Sequence, residues 1–144
     1  MASVLEATKD EAKKQCGESS KEWGDYETRL ARAYYYSGDF PKSYSYASDA
    51  ASTLEAARTP ASNRYRANWF AGCAAASDNK PNDAIPYINR AINLTKETDS
   101  EWDISDGLKT LYNKLIFCYQ SKGDMKKADE IQVQRDAALK AKGR

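Results

Sequence analysis

The chain has 144 residues, with 22 Lys and Arg balanced by 21 Asp and Glu, and it contains no histidine. That is one domain's worth of polypeptide with a single continuous core, and its near-zero net charge gives no global attraction to nucleic acid or to a membrane surface. Without an imidazole the commonest general base, nucleophile activator and metal ligand is missing, so Ser-His and Cys-His catalysis are excluded.

Residues 2–16 favour a helix with Leu5, Ala12 and Cys16 on one thin apolar stripe and charges elsewhere, which reads as a leader or capping helix. Gly17 stops it. Ser19-Ser20-Lys21-Glu22 has the form of a capping box, opening a helix that runs to Ser37. At Gly38-Asp39-Phe40-Pro41 the glycine can take positive φ and the proline suits a first helical turn, so a partner helix spans 41–57. Thr59-Pro60 restarts the chain. The next helix, 60–77, carries Tyr65, Trp69 and Phe70 and ends at Asp78-Asn79-Lys80-Pro81. Its partner spans 82–95 and tolerates Pro86 near its start.

Residues 96–107 form a polar connector in which Glu97, Asp99, Glu101, Asp103 and Asp106 surround Trp102. Carboxylates ahead of a helix favour its positive end, and Trp102 is expected to staple onto the second hairpin. The last helices are predicted over 104–122 and 124–140. From Lys122 onward there are seven basic and four acidic residues, a solvated face rather than a nucleic-acid tail.

No apolar run approaches ~18 residues and no basic-then-apolar leader opens the chain, so it reads as soluble, without membrane insertion and with the cytoplasm favoured. Three cysteines without metal spacing argue against a disulfide framework or a zinc site, and Cys73 and Cys118 read as small packing residues. The glycines are scattered, so no phosphate-cradling loop is present. No catalytic residue, metal or cofactor is expected.

The hairpins repeat. When Gly123-Asp124-Met125 is laid on Gly38-Asp39-Phe40, Leu115 falls on Leu30, Tyr119 on Tyr34 and Ala128 on Ser43. The middle copy has Asn79-Lys80-Pro81 at its turn and Gly72, Ala84 and Ala91 at close-contact positions. Ser43, Ala84 and Ala128 lie roughly 40 residues apart, longer than the ~34 of a tetratricopeptide repeat, with the surplus in the connectors.

On these residues the chain resembles the tetratricopeptide-repeat (TPR) family, with three divergent repeats. Leu30-Ala31 with Tyr34, Gly72, and Tyr112 with Leu115 and Tyr119 answer the family's first-helix pattern. Ser43 with Ala50, Ala84 with Ala91, and Ala128 answer the second. Ala75 stands where a Tyr is expected, Arg135 where a small residue is expected, and the closing Pro is absent. The resemblance implies an all-α, right-handed superhelical array of antiparallel hairpins in a single domain, 1–144. Its parts are a leader helix over 1–19 and hairpins over 20–57, 60–95 and 103–141.

It also implies that the first helices line a concave groove. The expected stripe is Thr28, Arg29, Arg32, Tyr35 and Tyr36 in the first hairpin, then Arg66, Trp69, Phe70, Cys73 and Ala76, then Asn113, Lys114, Phe117 and Gln120. Arg and Lys among aromatic rings are the residue types that dominate interface hot spots, and they suit a ligand with carboxylates and apolar anchors. Asn113 and Lys114 resemble part of the family's two-carboxylate clamp, but Arg32 and Phe70 stand where the clamp has Asn. The expected function is a non-catalytic protein-interaction module or scaffold, monomeric, holding an acidic and partly apolar peptide or partner helix. A self-associating structural subunit and a small-molecule or lipid binder between hairpins are the alternatives.

Overall fold

The computed structural model describes residues 2–97 and 105–142. Among them are seven α-helices and no strand: α1 Ala2–Cys16, α2 Lys21–Ser37, α3 Phe40–Ala56, α4 Ala61–Ser77, α5 Pro81–Leu94, α6 Ser105–Ser121 and α7 Met125–Lys142. Trp102, Asp99, Glu101 and Asp103 of the polar connector lie outside the described residues.

One turn device joins each pair of hairpin helices. Gly38 and Gly123 adopt left-handed backbone, at φ 87° and 79°, and Asn79 takes the same conformation at φ 62°. In each case the next N–H reaches back to a carbonyl of the finishing helix: Asp39 to Tyr34 at 2.9 Å, Lys80 to Ala75 at 2.9 Å and Asp124 to Tyr119 at 2.9 Å. These bonds satisfy carbonyls that the helix end leaves over. The carboxylates of Asp39 and Asp124 then accept from Lys42 N and Lys127 N, capping the following helix. The Ser19–Glu22 capping box is displaced by one residue. Ser20 is the cap and accepts from Trp23 N at 3.0 Å, so position three is an indole rather than Glu22.

Helices pair as α2 with α3, α4 with α5 and α6 with α7; α3 also packs on α4 and α5 on α6, while α2, α4 and α6 form one layer. Tight spots occur where the repeat places small residues. Ser43, Ala84 and Ala128 are all buried, and Ser43 Oγ donates to Ala31 O at 2.7 Å, which satisfies a hydroxyl where alanine stands in the other two copies. A Cβ on Gly72 would stand 2.6 Å from Ile88 Cγ1, and one on Gly24 2.7 Å from Leu54 Cδ2. The recurrence does not mark Gly24, which has no counterpart in the other hairpins.

The largest cluster joins the second and third hairpins through Tyr65, Cys73, Ile88, Leu111, Leu115 and Cys118. At the other end Leu5, Ala12 and Cys16 of α1 cover Trp23, Tyr26, Leu30 and Tyr34 of α2. Polar groups fasten that lid. The Glu6 carboxylate accepts from Tyr34 Oη at 2.6 Å and Tyr46 Oη at 2.8 Å and pairs with Lys9. Those donors and the ammonium hold it down to about 2. No described helix is long and apolar enough to cross a membrane.

Candidate functional site

The layer of α2, α4 and α6 holds the residues singled out from the sequence, and a helical period of 100° per residue decides how each is presented. In α2, Arg32 and Tyr36 are exposed, and the guanidinium of Arg32 lies 6.0 Å from the Tyr36 ring centroid. Arg29 is also exposed but sits a turn earlier, stacked at 5.2 Å over Tyr26, whose ring faces the leader helix.

Tyr35 turns inward. Its ring meets those of Tyr36, Trp69 and Phe70 edge-on at 5.3–5.8 Å, and Trp69 meets Phe70 at 5.0 Å. Burial raises the Tyr35 hydroxyl to about 12. Edge-to-face geometry of this kind adds ~0.5–1.5 kcal/mol per pair beyond the area buried. The cluster therefore bolts the first hairpin to the second.

Thr28, Phe70, Cys73 and Ala76 are buried, at 8% exposure or less. Thr28, Phe70 and Cys73 belong to the seams between neighbouring helices rather than to a reachable surface, while Ala76 borders a depression beside α6. Trp69 is half-buried because its indole N–H donates to Gly107 O at 3.0 Å, which ties the start of α6 to α4. Arg66 is exposed on α4.

In α6, Lys114 Nζ donates to Ser77 Oγ at 2.9 Å, and Ser77 also lies beside the Tyr35 hydroxyl. A polar thread thus crosses all three hairpins. Asn113 Oδ1 accepts from Arg135 Nη1 at 2.8 Å, so the Asn113–Lys114 pair is split between α7 and α4. Arg135 therefore earns its place where a small residue was expected. Around Lys114 an open depression of about 550 Å³ is walled by Ala76, Asn79, Thr110 and Phe117. Phe117 is 47% exposed and Tyr36 69%, and Gln120 is exposed one turn further along.

Two polar side chains that the sequence reading passed over are buried on the other side of α2 and α4. Glu27 is 3% exposed and Asn68 5%. A signal existed for the first: Glu27 stands three and four residues before the core residues Leu30 and Ala31, on the same helix face.

No protein-family model and no curated protein matches the sequence. Solved structures do match its shape. The crystal structure of BtubC (BKLC) from P. vanneervenii superposes over 97% of this chain with a TM-score of 0.76 at 19% identity. The fold is TPR-like. The nearly identical TPR-like repeats of a putative kinesin light chain from Podosopora anserina superpose over 99% of the chain with a TM-score of 0.69 at 16% identity. The chain spans 55% of the first of these proteins and 67% of the second. At such identities the TPR-like likeness is one of fold.

Proposed function

We propose that this three-hairpin unit is a non-catalytic protein-interaction module that receives an acidic, partly apolar peptide or partner helix along α2, α4 and α6. The observation that carries the reading is the pairing on one layer of the exposed rings Tyr36 and Phe117 with the cations Arg32, Arg66 and Lys114. A TPR-like array supports it by presenting its first helices as a continuous concave surface. Exposed aromatics supply apolar anchors, and Arg can grip a carboxylate with two parallel hydrogen bonds.

The test has two steps. Affinity purification from the source organism identifies a partner, and its affinity is then measured for the wild type, for Arg32→Glu with Arg66→Glu, and for Tyr36→Ala. Trp69 is left intact because its indole holds α6. The charge reversals should weaken binding by about 2 kcal/mol or more and flatten its decline with salt, and Tyr36→Ala should weaken it at every ionic strength. Unchanged affinity and salt dependence would remove the groove from consideration.

Self-association is favoured by one feature, the exposure of Met125 at 54% and Val133 at 70% on the outer face of α7. Sedimentation equilibrium separates the readings, since a concentration-dependent dimer abolished by Val133→Glu would support the second.

A further inference from the structure

Behind the groove layer, two depressions lie side by side and share Ser52 of α3 and Tyr87 of α5. One is lined by Glu27, Tyr46 and Asp49, the other by Asn68 together with Glu55, Arg64 and Arg90. Each contains a buried side-chain oxygen without a hydrogen-bond partner: Glu27 Oε1 and Asn68 Oδ1. Such orphaned acceptors are rare in folded proteins; the Glu27 carboxyl otherwise shares a hydrogen bond with Asp49.

The cations nearest to Glu27 are committed elsewhere. Lys13 of α1, the one cation acting on it, lies over the Trp23 ring and pairs with Glu18 at 3.3 Å. Lys9 pairs with Glu6 and donates to Tyr46 Oη at 2.9 Å. The Asn68 amide nitrogen donates to Arg64 O at 2.8 Å, which leaves its oxygen as the unmatched end, in a depression that has Arg64 and Arg90 as donors of its own. The Glu27–Asp49 pair, with tyrosine rings alongside, suits a ligand that brings donors and positive charge. Oxygen ligands alone could suit a metal, but no cluster of three acidic or other metal-ligating side chains occurs among the described residues.

We propose that Glu27 and Asp49 form a receptor for one alkylammonium or guanidinium group. This site is distinct from the groove of α2, α4 and α6 and does not depend on it. A lysine or arginine side chain of a partner polypeptide carries such a charged tip. A free polyamine carries the same chemistry at two ends.

The receptor has a proton to lose. Burial, then a hydrogen bond with Asp49 and that group's charge, raises the Glu27 carboxyl to about 9, against a weaker opposing pull from Lys13. Tyr46 of α3 and Tyr87 of α5 border the same depression. At neutral pH Glu27 is therefore protonated, and an incoming cation must displace that proton. Affinity should rise about tenfold per pH unit from pH 6 to 8, one proton being released per cation bound.

The experiment is a heteronuclear NMR titration of the full chain at pH 6, 7 and 8. The probes are Nα-acetyl-arginine methylamide, Nα-acetyl-lysine methylamide and putrescine, and the proteins are wild type, Glu27→Gln and Asp49→Asn. The expected result is saturable shifts around residues 27, 49 and 87 in the wild type, with affinity rising with pH. Both variants should bind at least tenfold more weakly at pH 8, and Glu27→Gln should lose the pH slope. Tighter binding of the amino-acid amides supports a polypeptide source, and tighter binding of putrescine supports the site with a free polyamine as its ligand. Absence of saturable shifts at these positions for all three probes at pH 8 overturns the proposal, as does equal affinity in wild type and variants. Asp49 is exposed, so Asp49→Asn remains a readable test if Glu27→Gln fails to fold.

Discussion

Gly72 is a position where one carbon atom matters. An added Cβ would stand 2.6 Å from Ile88 Cγ1 and 3.0 Å from Ile88 N, so the obstruction includes backbone that cannot swing aside. Gly72→Leu must push α5 off α4, and Ala84→Leu, at a fully buried contact on the same pair, must do likewise. Each should cost ~1–3 kcal/mol. Thermal melts of both variants read this directly, and melts matching the parent would show that the helices do not meet there. These positions were legible in the sequence because small residues recur at a fixed interval. The groove stripe was only half legible. Thr28, Phe70 and Cys73 lie at the edge of the stripe, where the 100° rotation per residue carries a side chain from the open face into the seam with the next helix. A sequence pattern proposes a stripe but does not give the depth to which a neighbouring helix covers its edge.

The element with the plainest electrostatic fastening is α1. Its Glu6 carboxylate, bonded by Tyr34 and Tyr46 and paired with Lys9, titrates near 2 instead of the ordinary 4.5. A carboxyl lowered in the folded state stabilises above its unfolded value, and that stability is lost as pH falls from about 4.5 towards 2. Tyr34 is raised to about 12 by the same bond, so this stabilisation also fades as pH climbs past 10. The part-exposed setting limits the contribution to about 1 kcal/mol. The expected outcome is that α1 loosens from α2 in acid, seen as a change in the emission of Trp23, which α1 covers. Glu6→Gln should show most of that change already at pH 7, and identical acid profiles for the two proteins would contradict it. The turns were legible from Gly38 and Gly123 alone, since few other residues take positive φ without strain. Asn79 is the next best choice at such a place. The cap of α2 was misjudged by one residue because two serines stand in a row, and the spacing to Glu22 favoured the wrong one.

Across the molecule, stability should be graded along the stack, because each hairpin touches only its neighbours. The second and third hairpins share the largest core, whereas α7 commits few large residues to it, with Ile131 buried but Met125 and Val133 exposed. Amide hydrogen exchange is therefore expected to be slowest in α4 and α5 and fastest in α7, and uniform protection would indicate a fully cooperative unit instead. The architecture could be read in advance because its repeats are local. How far the array extends in the larger proteins it resembles is a separate matter, since it spans 55% of one and 67% of the other. The buried thiols add a consequence. Cys73 and Cys118 sit together in the seam of α4 and α6, and burial raises both, Cys118 to about 11. Only a thiolate attacks a disulfide or maleimide at useful speed, so in the closed stack these two are chemically silent while the half-buried Cys16 reports on the leader helix. Modification of Cys73 or Cys118 is thereby a clock for the parting of the second and third hairpins, written into the chain without any engineered label.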